Sequence, residues 1–311
     1  MVSEAQDWAS EDVANGGLEH LHASARSIAR LPAQERVRHV RADRWIGYSR
    51  ATEALERLET LYTWPGKQRM PNLLLIGPTN NGKSMIIEKF RRLHPPMSHA
   101  DREQMPVLAV QMPTEPSVSR FYVALLAALG APLRPRQRVA EMEQAALGLL
   151  RAVGVRVLVI DELHNVLAGQ AHTRREFLNL LRFLGNELRI PLVGAGTQEA
   201  YLAIRSDDQL ENRFEPLTLP RWEAGEEACS LLASFAASFP LHQPSPITTE
   251  DMARYLLTRS EGTIGELTHL LTDAAVAAIE SGEEAINQRT LRIAPYVGPT
   301  ERRRTFEREL T

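Results

Sequence analysis

The chain has 311 residues, 43% of them hydrophobic, which is enough for a sizeable core in one large or two modest domains. The single cysteine, Cys229, excludes an intramolecular disulfide and fits a reducing compartment. The net charge of −3 excludes a global basic field, so any contact with nucleic acid has to come from local patches, multiplied by oligomerisation. No run of 18 apolar residues is present, and the acidic start lacks the basic opening of a signal peptide; the expectation is a cytoplasmic protein with no membrane partner.

Residues 1–40 read as an N-terminal extension, polar and acidic at first and then helix-compatible and rich in arginine. From Ala51 to Tyr62 the apolar residues fall on one helical face, and Trp64-Pro65-Gly66 ends that helix. The run Asn72–Ile76 is a short buried strand. It leads into Gly77-Pro78-Thr79-Asn80-Asn81-Gly82-Lys83-Ser84, followed by a helical pattern over Met85–Leu93. This is GxxxxGK[ST] in the context it requires, strand before and helix after. Its glycines let the backbone curl so that successive N–H groups face a β-phosphate, and the helix adds its positive end. Lys83 reaches the β/γ-phosphates and the Ser84 hydroxyl is a ligand for Mg²⁺. The reading is a site for a nucleoside triphosphate.

Pro106–Gln111 is the second strand, followed by helices over Phe121–Leu129 and Ala140–Ala152. The β-branched run Val155–Ile160 then ends in Asp161-Glu162. A carboxylate at the strand end suits Mg²⁺, and Glu162 suits polarisation of the attacking water. Phosphoryl transfer asks for little beyond such positioning and charge. A helix over Arg174–Glu187, a fourth strand at Ile190–Ala195 and a fifth at Phe214–Leu219 complete an alternating α/β pattern. Beyond Trp222 the chain reads as helical, over Ala224–Ser238, Thr249–Ser260, Ile264–Ser281 and Asn287–Ile293, and Pro295–Thr311 reads as a polar arginine-rich tail, disordered until it meets a partner.

Taken together, Asp43-Arg44-Trp45-Ile46-Gly47-Tyr48, the phosphate loop, Ile160-Asp161-Glu162-Leu163-His164, Gly194-Ala195-Gly196-Thr197 and Glu261-Gly262-Thr263-Ile264-Gly265 resemble the TniB family, transposition ATP-binding proteins related to TnsC and to the phage Mu B protein. The resemblance implies an AAA+ fold: an α/β domain over 41–220 with a five-stranded parallel sheet in the order 5-1-4-3-2, a helical lid over 221–294 and the tail at 295–311. It implies ATP and Mg²⁺ as cofactors, slow ATP hydrolysis, and assembly as a ring or helical filament on duplex DNA. The implied partners are a DDE transposase and a TniQ-type targeting protein.

By the same resemblance, Thr197 is a sensor for the γ-phosphate, although the residue also suits a helix N-cap. Arg213 stands at the arginine-finger position, acting on a neighbour's nucleotide, with Arg205 as the competitor. Ile46 and Tyr48 are expected at the adenine. The lid departs from the common AAA+ pattern, since Gly262-Thr263-Ile264-Gly265-Glu266 carries no sensor arginine. Loops beside the second and third strands nominate Thr114, Ser117 and Arg120, and the basic loop Arg134, Arg136 and Arg138, as sequence-tolerant phosphate contacts to DNA.

Three rival functions share the nucleotide residues. Asp161-Glu162-Leu163-His164 spells a DExH helicase box, but the residues after it are too few for a second recombinase-like domain. A helicase loader or origin-type AAA+ protein differs only in its partner. A nucleotide-gated protein adaptor is a third class. A zinc role for His164 lacks a second ligand at suitable spacing.

Overall fold

Five short runs become five parallel strands: four are buried along most of their length, which calls for helices on both faces of the sheet, and the fifth, at the edge, buries only two of its five residues. The structure is a computed structural model that describes residues 17–98, 103–134 and 136–310. In chain order these hold α1 (Ala23–Ala29), α2 (Ala33–Arg41), α3 (Ser49–Thr63), β1 (Asn72–Ile76), α4 (Lys83–Leu93), β2 (Val107–Gln111), α5 (Val118–Ala128) and α6 (Val139–Ala152). Then come β3 (Val157–Asp161), a 3₁₀ turn (Leu163–Ala168), α7 (Ala171–Leu188), β4 (Leu192–Gly196), α8 (Gln198–Arg205), α9 (Asp208–Glu211) and β5 (Phe214–Thr218). The C-terminal helices are α10 (Glu226–Ser238), α11 (Glu250–Arg259), α12 (Ile264–Ser281), α13 (Gln288–Ile293) and α14 (Pro299–Glu309). None of the described helices is long and apolar enough to cross a membrane.

The sheet runs β2-β3-β4-β1-β5. Read from the other edge this is the expected 5-1-4-3-2; counting the separate two-residue ribbon of Met97–Ser98 with Glu103–Gln104 changes only the numbers. The register pairs Leu73 with Val193 on one side of β1 and Leu75 with Leu217 on the other. β4 is buried along its whole length, whereas edge strand β5 buries only Phe214 and Leu217 and accommodates Pro216, a residue a central strand would reject. Leu74, Leu158, Ile160, Phe121, Phe177 and Leu184 belong to the core that holds sheet and helices together.

The chain divides into two compact units. Arg50–Pro220 contains the sheet, and residues 17–49 join 221–310 in the other. The boundaries between the units fall after Ser49 and after Pro220. Residues 17–49 are not a free-standing extension: Val40 shares a core with Leu232, Phe235, Phe239, Leu267 and Leu271. Arg36, 4% exposed, makes a bidentate pair with Glu284 at 2.6 and 2.7 Å and donates to the Pro240 carbonyl. The acidic residues 1–16 lie outside the described residues.

The tail also departs from expectation. Pro299 opens α14, where its missing N–H costs nothing, and the Glu- and Arg-rich sequence after it has good helix propensity. None of its residues is buried, but Arg302 donates to Glu266 at 2.7 Å and the Thr300 N–H to Glu261.

Candidate active site

β1 delivers the chain at Ile76 into a tight turn that reverses into α4. Gly82, the N-cap of α4, has φ 87, a left-handed conformation that an L side chain would strain. Asn80 also takes positive φ, at 60, which asparagine tolerates better than most residues. The buried Asn81 amide donates to the carbonyls of Leu219 and Pro220 at 2.9 Å each, tying the loop to the chain leaving β5. Its side chain therefore serves the scaffold, a role the motif alone did not announce. Its remaining oxygen is an acceptor and has nothing to offer a phosphate.

Lys83 begins α4 and is 6% exposed. Its Nζ donates to the carbonyls of Gly77 at 2.8 Å and Pro78 at 2.7 Å. Burial holds the ammonium below its ordinary range, while the charges of Glu162 and Asp161 act in the other direction. The next residue, Ser84, donates its hydroxyl to Asp161 Oδ2 at 2.7 Å, so the loop and the end of β3 meet. Two hard oxygens side by side suit Mg²⁺ better than any softer metal. The 11-residue helix α4 adds its N-terminal dipole at the same point. This donor set fits a magnesium–triphosphate ligand.

Asp161 Oδ1 accepts from the Glu162 N–H at 2.8 Å, and Glu162 itself is left-handed at φ 56, ψ 35. The chain therefore leaves β3 through a sharp bend into a 3₁₀ turn rather than straight into an α-helix, as a simple capping role would have it. The bend puts Glu162 Oε2 3.2 Å from His164 Nε2. Across from it, β4 ends in Gly196. A Cβ there would fall 2.7 Å from Ala200 Cβ and 3.4 Å from His164 Nδ1, so only glycine lets the turn lie this close. Thr197 occupies the N-cap of α8, but its hydroxyl bonds the Glu199 carboxylate and caps no backbone N–H. That hydrogen bond, above all, holds the Glu199 carboxyl below its ordinary range.

Arg213 lies at the other end of the sheet. It directly precedes β5, and Asn72 of β1 pairs with Phe214, so a strand of five residues separates it from the phosphate loop, about 16 Å along the sheet. Its Nη1 donates to Asn186 Oδ1 at 2.8 Å. With Lys67 and Arg69 it lines a cavity of about 550 Å³. Those two cations gave no sequence signal, because their nearness to Arg213 depends on β1 lying beside β5. The competitor Arg205 is exposed and paired with Glu211 at 3.4 Å.

The remaining candidates are dispersed. Ile46 and Tyr48 pack against the core of the C-terminal helices; Tyr48 stands edge-on to Trp222 at 5.1 Å, and burial, then Glu227, pushes its hydroxyl up to about 12. Thr114 is exposed in the loop after β2, Ser117 caps α5 by accepting from the Arg120 N–H, and Arg120 pairs with Glu115 at 3.3 Å. Arg134, Arg136 and Arg138 are all exposed; Arg136 takes φ 62, and the Arg138 N–H bonds Glu141 at the start of α6. Pro135 lies outside the described residues. The two nominated segments flank α5 in the chain, one at its start and the other beyond its end. Among the C-terminal helices, Gly262 takes φ 67 before α12, and Glu266 stands in the first turn of that helix, bonded to Tyr296 and Arg302.

Comparison with known proteins agrees with this geometry. The family model for bacterial TniB proteins matches residues 36–224, more than half of the chain. Chaperone protein ClpB of Meiothermus ruber is 29% identical over 159 residues, 46% of this chain but 18% of that much longer one. Among solved structures, the ORC2 protein of Aeropyrum pernix superposes with a TM-score of 0.59 at 14% identity, covering 83% of this chain and 70% of that one. The ORC1 protein of the same organism, solved in complex with DNA, gives 0.53 at 15% identity over 83% and 68%, and Cdc6p of Pyrobaculum aerophilum 0.53 at 17% over 79% and 67%. At such identities the likeness speaks for the fold, and the family match carries the rest. The chain belongs to the TniB family, and its α/β unit is that of a P-loop ATPase of the AAA+ type.

Proposed function

We propose that this chain is an ATP-dependent regulator of DNA transposition that assembles as an oligomer on duplex target DNA and recruits or activates a DDE transposase, with a TniQ-type protein taking part in site choice. The single observation behind this reading is the TniB family match, which spans the phosphate loop, Asp161, Glu162, Thr197 and Arg213 alike. An origin-type loader is the second reading; what favours it is the likeness of fold to the ORC and Cdc6 proteins, one of them solved with DNA.

In the proposed cycle, the loop backbone from Gly77 to Gly82 and the Lys83 ammonium bind the triphosphate. Mg²⁺, held by Ser84 and Asp161, would neutralise charge between the β- and γ-phosphates. Glu162 accepts a proton from water as the water oxygen bonds to the γ-phosphorus and the bond to the bridging oxygen breaks. Thr197 senses the γ-phosphate. Arg213, too far from its own loop, acts on the nucleotide of a neighbouring copy, so that hydrolysis depends on assembly. A lid without a sensor arginine couples weakly to the γ-phosphate, which accords with slow, regulatory turnover.

The test is negative-stain imaging of the protein with duplex DNA in ATP and in ADP, combined with capture of the cognate transposase. Rings or filaments on DNA that form in ATP and retain the transposase are expected. Assembly that loads a helicase and ignores the transposase would establish the second reading instead.

A further inference from the structure

Glu162 stands where its own backbone does little to aim it. It is the residue just after β3, left-handed and outside any helix, and its carboxylate hangs on a stem of several rotatable bonds. An unrestrained side chain of this kind spreads over several rotamers, and ordering it costs entropy. One side chain restrains it. His164 Nε2 lies 3.2 Å from Glu162 Oε2.

The imidazole is itself held. The backbone of Gly196 lies against it so closely that a methyl group there would come within 3.4 Å of Nδ1 and 3.2 Å of the His164 N. Nδ1 is buried and has no hydrogen-bond partner among the described residues. This asymmetry selects the tautomer. A proton on Nε2 sets an N–H beside the carboxylate, 3.2 Å from Oε2 though off the line of a full hydrogen bond, and leaves Nδ1 as an acceptor. The opposite arrangement would bury an N–H with no acceptor and set two lone-pair groups against each other. The charges of Glu162 and Asp161 both reach Lys83, so the Glu162 carboxylate stands within electrostatic range of the loop's ammonium.

We infer that His164 is a positioning residue for ATP hydrolysis: its Nε2–H holds the Glu162 carboxylate toward the phosphate loop, and the ring takes its own place from Gly196 at the end of β4. His164 touches neither the nucleotide nor the water. The inference rests on the reading of Glu162 as the group that accepts the water proton. It also links that group to the strand end that carries Thr197, so a shift of β4 and a change in the aim of Glu162 become one event.

Four measurements test it. Steady-state hydrolysis by His164→Ala should lose about 100-fold in kcat, the cost of misplacing a reacting group by about an ångström, with KM and the affinity for a fluorescent ATP analogue within about twofold of the parent. His164→Gln, whose amide N–H reaches about as far as Nε2, should recover most of the loss. The double variant of His164→Ala with Glu162→Gln should be no slower than Glu162→Gln alone, because a group acting only through Glu162 has nothing left to aim. In the unsubstituted, nucleotide-free protein, ¹⁵N-histidine spectra should show His164 protonated on Nε2, with that resonance displaced in Glu162→Gln.

An Nδ1-protonated His164, an additive double variant, or an unchanged kcat in His164→Ala beside a slow Glu162→Gln would each overturn the inference while leaving the assignment of Glu162 intact. A Glu162→Gln protein that turns over at the parental rate would overturn that assignment and the inference with it. The spectrum of the unsubstituted protein decides the matter even if His164→Ala fails to fold.

Discussion

The two ends of one sheet handle charge in opposite ways. At the C-terminal ends of the strands, charged groups are already engaged: Lys83 with the loop carbonyls, Asp161 with Ser84, Glu162 with His164. At the N-terminal ends, Lys67, Arg69 and Arg213 line an open cavity. Two of these cations have neutral neighbours: the Trp64 ring lies 4.9 Å from Lys67 Nζ, and Asn186 accepts from Arg213. A neutral partner fixes a cation's direction without cancelling its charge. The first end is organised in advance by its own chain, whereas the second sets three cations beside one lining carboxylate, Asp208, around an open cavity.

The sharpest way to break the comparison is to remove one cation from each end. Lys83→Ala should abolish binding of a fluorescent ATP analogue, since no other side chain at the loop replaces a buried ammonium among phosphates. Arg213→Ala should bind the analogue within about twofold of the parent, yet hydrolyse ATP about 10³-fold more slowly under assembling conditions, the scale of an arginine supplied in trans. Mixing the two variants should restore part of the activity, because one interface in the mixture then has both good halves. If Arg213→Ala weakens nucleotide binding to isolated subunits, or mixing fails while both variants still assemble, the two ends are not divided in this way and Arg205 becomes the finger.

A smaller effect is expected from the exposed arginines between α5 and α6. Replacing Arg134, Arg136 and Arg138 with alanine should leave nucleotide binding unchanged and lower the salt dependence of duplex binding by about one unit of log–log slope per arginine, read from titrations at several salt concentrations. An unchanged slope would make this a solvated loop. Arg120, already paired with Glu115, should contribute less.

The smallest effect on activity, and a clear one on stability, is expected outside the sheet. Glu284→Gln leaves the buried Arg36 guanidinium without its counter-charge and should cost about 3 kcal/mol by chemical denaturation, with ATP binding by folded protein unaltered. Burial by itself would raise the Glu284 carboxyl, but the bonds and charge of Arg36 together with those of His242 outweigh it and hold the group below its ordinary range. A carboxyl depressed in the folded state stabilises above its unfolded value, near about 4.3, and loses that contribution as the pH falls through the folded value. The parent should therefore show a drop in thermal midpoint below about pH 4 that is smaller in Glu284→Gln.

Much of the site was legible because its chemistry is local. Gly77 to Ser84 and Asp161-Glu162 each occupy consecutive positions, and the turn or strand end that aims them is built by their immediate neighbours. Strand periods were legible for the same reason, as apolar runs of about five residues between helical patterns. The tail misled because a charged, exposed helix has no apolar face to betray it; its signals were Pro299 and intrinsic propensity alone.

What the sequence by itself determined is the phosphate loop, the acidic pair, the alternation of strands and helices and, through its joint motifs, the family. What only the tertiary structure decided is which distant groups meet. Arg36 finds Glu284 across 248 residues, Asn81 finds the carbonyls after β5, and Arg213 shares a cavity with Lys67 and Arg69. Even the contact between His164 and Glu162, two positions apart, depends on a left-handed backbone and a glycine on another strand. The physical reason is common to all of these. Hydrogen bonds and ion pairs act over a few ångströms, and which residues come within that range is set by packing of the whole core, to which every apolar residue contributes and which no short window of sequence contains.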